Sequence, residues 1–163
     1  MERLIPALVL LLVTLLVFWL MLRGWRSRAG SQSGLPTPAR PVVGSPVLHG
    51  PIEGMYVATT SAGDPYDRIA VHGLGLRTAA DVVLTDAGVV IDRAGTGDFL
   101  IPWGDVHDVR TSQGMIGKFV EPDGLIVIRW TLGDTPLESG FRTRAADART
   151  PLITSIRRQI EED

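Results

Sequence analysis

Hydrophobic and polar positions divide the chain into three stretches of different character. From Leu4 to Leu22 it reads LIPALVLLLVTLLVFWLML, without one charged position. Such a run is apolar on every face of a helix, unlike the single stripe of a helix packed on a water-soluble core. At ~1.5 Å per residue it would be ~28 Å long, close to the ~30 Å hydrocarbon core of a bilayer. Pro6 falls in the first turn, where its missing N–H costs little. Trp19 and Trp25 lie at or just past the far end, where indole rings favour the headgroup layer. A cleaved leader is the competing reading. The apolar run is too long for one, its amino-terminal flank is barely positive, and LRGWRSRAG offers no small-x-small cleavage site. An uncleaved transmembrane anchor over residues 1–28 is therefore expected, touching the lipid bilayer through residues 4–22.

Residues 29–51 read AGSQSGLPTPARPVVGSPVLHGP, with five prolines and no apolar period. The expectation is an extended linker, not a folded unit. From Ile52 onward, short β-rich runs alternate with turn signals: IEGMYVATT, YDRIAVHG, RTAADVVLT, VVIDR, DFLIPW, GMIGKFV, LIVIRWTL and PLESGFRTR. SAGDP, Asp86-Ala87-Gly88, AGTG, Pro122-Asp123-Gly124 and Gly133-Asp134 separate them. This spacing predicts a mainly β domain over 52–163, an antiparallel sandwich or partly open barrel of about seven strands. Within LIVIRWTL, two-residue alternation puts Ile126, Ile128, Trp130 and Leu132 on one core face, with Arg129 and Thr131 outward. The period then changes. Leu152, Ile153, Ile156 and Ile160 form one helical stripe, with Thr150 as the expected N-cap and Pro151 at the first helical position. An amphipathic helix after a run of strands needs an apolar surface to cover, and an open barrel end supplies one.

Charge sharpens this division. Residues 1–51 hold Arg3, Arg23, Arg26, Arg28 and Arg40 against Glu2 alone, a net +4; residues 52–163 hold 11 basic and 17 acidic side chains, a net −6. An acidic domain repels a phosphate backbone, so nucleic acid is not an expected partner. Arg23, Arg26 and Arg28 follow the apolar run, whereas only Arg3 and the amino group precede it. Positive residues stay inside, so the flank predicts a single-pass plasma-membrane protein with its N-terminus outside and its domain in the cytoplasm. The same three arginines would lie at the lipid headgroups. Cysteine is absent, which excludes disulfides, thiolate metal sites and thiol catalysis, and asparagine is absent, which excludes N-glycosylation.

Candidate chemistry is sparse. Asp105 and His107 could share a strand face as two ligands, fewer than the three or four of a zinc site, so no metal is expected. His49 and His72 have no recognisable partner in the sequence. Gly73-Leu74-Gly75 and Gly95-Thr96-Gly97 do not extend into a phosphate loop, and turns needing positive φ account for them. No nucleophile elbow is present. No cofactor and no catalytic residue is predicted. Trp130 has the alternation of a core residue. Trp103, after Pro102 at a strand end, is expected to be the more exposed tryptophan and a candidate partner contact, although core packing is the commoner fate.

About seven strands followed by one amphipathic helix, together with DFLIPWGDVHDVRT at 98–111, resembles the bacterial pleckstrin-homology-like (PH-like) domain. The whole order of helix, proline-rich linker, domain and terminal helix is similar to a group of actinobacterial single-pass membrane proteins often encoded among pyrimidine-biosynthesis genes. The resemblance implies a PH-like fold and a non-enzymatic interaction module with a protein partner, and carries over no catalytic residue. It also locates a departure. Inositide-binding PH domains carry basic residues around the first hairpin loop, whereas Ser61-Ala62-Gly63-Asp64-Pro65-Tyr66-Asp67-Arg68 holds two acids and one base. Phosphoinositide is therefore not expected there. The alternatives are an accessory subunit of a membrane transport or export system and, less readily, an enzyme.

Overall fold

The computed structural model describes residues 4–32, 34–115, 118–119 and 124–162; side chains of 4–8, 23–31 and 118–119 lie outside the description. The chain forms two compact units, residues 1–34 and 35–163. The first contains helix α1, Leu4–Ser31. Every large apolar side chain described in α1, from Val9 to Leu22, is exposed. Among the described residues, no helix is long and apolar enough to cross a membrane. The stretch with described side chains covers ~21 Å of helix axis, and the remainder of the expected 4–22 segment lies outside it.

The second unit is built on one antiparallel sheet. Its strands are β1 (Val47–Ser61), β2 (Thr78–Thr85), β3 (Gly88–Arg93), β4 (Phe99–Pro102), β5 (Val106–Ser112), β8 (Leu125–Leu132) and β9 (Thr135–Thr143). A two-residue hairpin, β6 (Gly114–Met115) with β7 (Lys118–Phe119), forms a separate small sheet. The order across the main sheet is β4-β3-β2-β1-β9-β8-β5. β1 is long because it serves both halves: residues 47–56 pair with β2 and residues 54–61 pair with β9. Gly54 lies where the two pairings overlap. A Cβ there would run into Arg142 O and the Phe141 ring, so the missing side chain lets the backbones approach.

The inner face carries the main core, including Tyr56, Phe99, Trp130 and Phe141, all almost fully buried. The outer face of β8 is also covered. Leu125 and Val127 pack with Met115 and Val57, so the strand expected to alternate is buried on both sides over 125–128. β4 and β5 are the two edges of the sheet, joined through the short turn Trp103–Asp105. Helix α2 (Arg149–Glu162) packs on that turn and on β5, burying Leu152, Ile153 and Ile156. Its stripe is the one expected from the sequence. The helix begins at Arg149, however, with Leu152 N–H bonded to Ala148 O, so Thr150 lies in the first turn and does not cap it.

Two further expectations are corrected. YDRIAVHG is not a strand: it bridges β1 only at Arg68 and then forms the turn Val71–Gly73. The compact unit begins well before Ile52, because Leu35 packs on the core, Leu100 N–H donates to Ala39 O, and Val47 and His49 pair with β2. Proline hides this from the sequence by breaking any alternation while still permitting single bridges at a sheet edge. The turn expected at Pro122-Asp123 lies outside the described residues.

Candidate functional site

The interior of the domain holds one chain of hydrogen bonds. Tyr56 O–H donates to Leu74 O at 2.7 Å and lies 2.6 Å from Thr59 Oγ1. Thr59 Oγ1 is 2.6 Å from Ser139 Oγ, which accepts from Trp130 Nε1 at 2.9 Å. The single phenolic proton is committed to Leu74 O, so the remaining hydroxyl protons must run one way: Trp130 to Ser139 to Thr59 to Tyr56. Residues three apart on a flat strand face opposite sides. A register shift between Tyr56 and Ala58 brings Tyr56 and Thr59 to the same side. Burial pushes the Tyr56 hydroxyl up to about 12, opposed by the Thr59 hydrogen bond and by the positive charge of Arg93. These groups fasten β8, β9, β1 and the loop at Leu74 together, and they leave the interior filled.

Arg93 extends this structural network to the surface. Its side chain donates to Gly97 O at 2.9 Å and Gly73 O at 2.7 Å, and its guanidinium lies 5.3 Å from the Tyr56 ring centroid and 4.9 Å from that of Phe99. Burial lowers its pKa from the ordinary arginine value, with Tyr56 and Asp98 opposing. Gly73, Gly95 and Gly97 all have positive φ, so the two glycine pairs act as turns whose carbonyls hold Arg93.

Beside Arg93 opens a cleft of about 590 Å³ whose lining includes Arg40, Val43, His72, Arg93, Asp98 and Phe99. Residues 37–43, expected as linker, form one wall. His72 has φ 55° and ψ 21°, a left-handed conformation that costs a non-glycine residue roughly 1–2 kcal/mol, and its Nε2 lies 2.9 Å from Leu35 O. Next to the cleft, the Asp92 carboxyl is pushed above its ordinary value by partial burial and then by Asp98. The Thr96 hydroxyl is buried without a hydrogen-bond partner, so His72 does not activate it. The cleft offers a cation, a carboxylate and apolar walls, which suits recognition of a polar ligand.

The residues singled out in the sequence are scattered. Trp103, the candidate partner contact for which core packing was the commoner fate, is 8% exposed and donates from Nε1 to Thr85 O at 2.9 Å; it is a core residue. Asp105 closes the turn before β5, so it does not share a strand face with His107. His107 is exposed, with Nε2 2.5 Å from Thr131 Oγ1. Among the described residues, no group of three or more His, Asp or Glu side chains is placed to hold a metal ion. In the first-hairpin loop, Asp67 accepts from Ser61 and Asp64 accepts from the Tyr66 N–H, so both acids shape the loop. Arg23, Arg26 and Arg28 belong to α1, with side chains outside the described residues. The polar chain around Tyr56 went unrecognised in the sequence because isolated Tyr, Thr and Ser carry no spacing signal.

A family model described as bacterial PH domain-like matches residues 34–157. Its start agrees with the compact unit at Leu35, not with a domain beginning at Ile52. A search of curated proteins finds no match.

Proposed function

We propose that this chain, which belongs to the bacterial PH domain-like family, is a membrane-tethered, non-enzymatic binding module whose domain faces the cytoplasm. The carrying observation is the filled interior: the largest aromatic side chains and a hydrogen-bonded chain occupy the space in which an enzyme would need a deep reactive pocket. Recognition then falls to the surface. Both sheet edges are engaged, β4 by Ala39 and β5 by Arg157, whose Nη2 donates to Val109 O at 3.2 Å. A partner is therefore expected in a cleft, and addition of a strand to the sheet is disfavoured. The cleft lined by Arg40, His72 and Asp98 is the proposed contact for a protein partner.

Tethering rests on the exposed apolar side chains from Val9 to Leu22 and the uncharged sequence around them. Water is a poor solvent for such a surface, and lipid a good one. Sidedness rests on Arg23, Arg26 and Arg28. Crosslinking in native membranes, with wild type beside an Arg40→Glu/Asp98→Arg variant, tests the reading. A specific partner lost in the variant is expected. A partner spectrum unchanged by the variant, together with reproducible turnover by the purified chain, would refute it.

A further inference from the structure

A second depression lies on the domain, about 410 Å³ in volume, where β1, β2 and β9 meet the start of α2. Four arginines line it: Arg77 before β2, Arg142 on β9, Arg144 after β9, and Arg149 at the first position of α2. Residues 52–163 carry only 11 basic side chains against 17 acidic ones, so four in one groove is a strong local concentration. Register explains the convergence. Met55 on β1 pairs with Arg142 on one side and with Ala79 on the other, which brings the end of β9 beside the start of β2.

The groove also holds donors without acceptors. Thr143 is 6% exposed and lines the groove, yet its hydroxyl has no hydrogen-bond partner. Arg149 Nε is likewise buried and unpartnered. Buried donors of this kind are costly to leave unmet, and an anion would meet both. Arg144 pairs with Glu53 at 3.2 Å, but the two side chains are 81% and 67% exposed. Such an ion pair is weak and readily exchanged for a better anion. The N-terminal end of α2 adds the positive end of a helix dipole.

We propose that this groove binds a phosphate-bearing anion, with Arg77, Arg142, Arg144 and Arg149 supplying charge and the Thr143 hydroxyl and Arg149 Nε supplying directed hydrogen bonds. Guanidinium forks match phosphate oxygens in geometry as well as charge. The site is distinct from the first-hairpin loop, where Asp64 and Asp67 oppose an anion. It is independent of the tethering reading, which would survive its failure.

The test uses the full chain in neutral detergent, with thermal unfolding followed by circular dichroism as inorganic pyrophosphate is titrated at constant ionic strength. A saturable rise in Tm is expected, because a ligand of the folded state stabilises it by mass action. Arg77→Gln/Arg144→Gln, at exposed positions that should leave folding intact, is expected to raise the half-saturating concentration at least tenfold. Arg129→Gln, also exposed but outside the groove, should leave it unchanged. A rise reproduced by chloride alone, no saturable rise, or an equal response in the double variant would each overturn the proposal. Nanodiscs of phosphatidylcholine, with and without phosphatidic acid, separate the sources. If lipid headgroups occupy the groove, the anionic discs raise Tm and blunt the pyrophosphate response. If the ligand is a soluble phosphate compound, the two discs respond alike. Either outcome supports the site.

Discussion

At the residue scale, burial fixes the chemistry of several groups. Tyr56 is the clearest. Its hydroxyl is pushed from 10.0 to about 12 in the folded state, so between those values the unfolded chain releases a proton that the folded chain keeps. The unfolded state then binds fewer protons, and stability falls as pH rises. It is fully present below pH 10 and lost through about pH 12, with a total of about 3 kcal/mol at ~1.4 kcal/mol per unit. Tyr56→Phe should remove that alkaline step and cost about 1–3 kcal/mol at neutral pH, since Thr59 loses its acceptor; denaturant titrations across this pH range measure both. Glycines give a second contrast. Gly54→Ala meets backbone at Arg142 and should cost about 3 kcal/mol. Gly140→Ala meets side chains alone, the Met115 sulfur at 2.8 Å and the Leu125 methyls at 3.4 and 3.5 Å, and should cost about 1 kcal/mol. Equal costs would mean that the close approach of the Arg142 backbone does not require glycine at position 54. None of this was legible in the sequence, where Tyr56 is one apolar position among several and Gly54 is one glycine inside a β-rich run.

At the scale of elements, the strands and the C-terminal helix were legible because each has a period. The alternation in LIVIRWTL placed Ile126, Ile128, Trp130 and Leu132 on the inner face, and all four are buried in the main core. The same alternation missed Leu125 and Val127, because the outer face is covered by a hairpin too short to have a period. Residues 35–51 escape the pattern for a related reason: 35–46 join the domain through one bridge at Ala39 and the packing of Leu35, and 47–51 enter β1 through a shifted register, so neither stretch alternates. The arginine groove was invisible because Arg77 lies far along the chain from Arg142, Arg144 and Arg149, and only the pairing of β1 with both β2 and β9 brings them together. Helix α2 gives the sharpest test at this scale. Ile156→Ala empties a fully buried site and should cost about 2–5 kcal/mol. Arg158→Ala, on the exposed side, should change stability by no more than about 0.5 kcal/mol. Equal effects in chemical denaturation would show that α2 does not close the domain.

At the scale of the whole molecule, the family relation, the filled interior and the apolar helix point the same way. The bacterial PH domain-like unit carries surface clefts lined by charged side chains, and α1 carries apolar side chains that water does not favour. Tethering would confine the domain near one leaflet and raise its effective concentration toward partners held there. Sidedness is the part of this account most open to direct test. The chain has no cysteine, so Gln113→Cys, at an exposed position on the domain, gives one unique thiol. Labelling with an impermeant maleimide, on intact and on permeabilised cells, should be followed by a carbonate wash of the membranes. A tethered, cytoplasm-facing domain predicts protein in the washed pellet and labelling only after permeabilisation. Full-length protein in the wash supernatant, or labelling of intact cells, would contradict it.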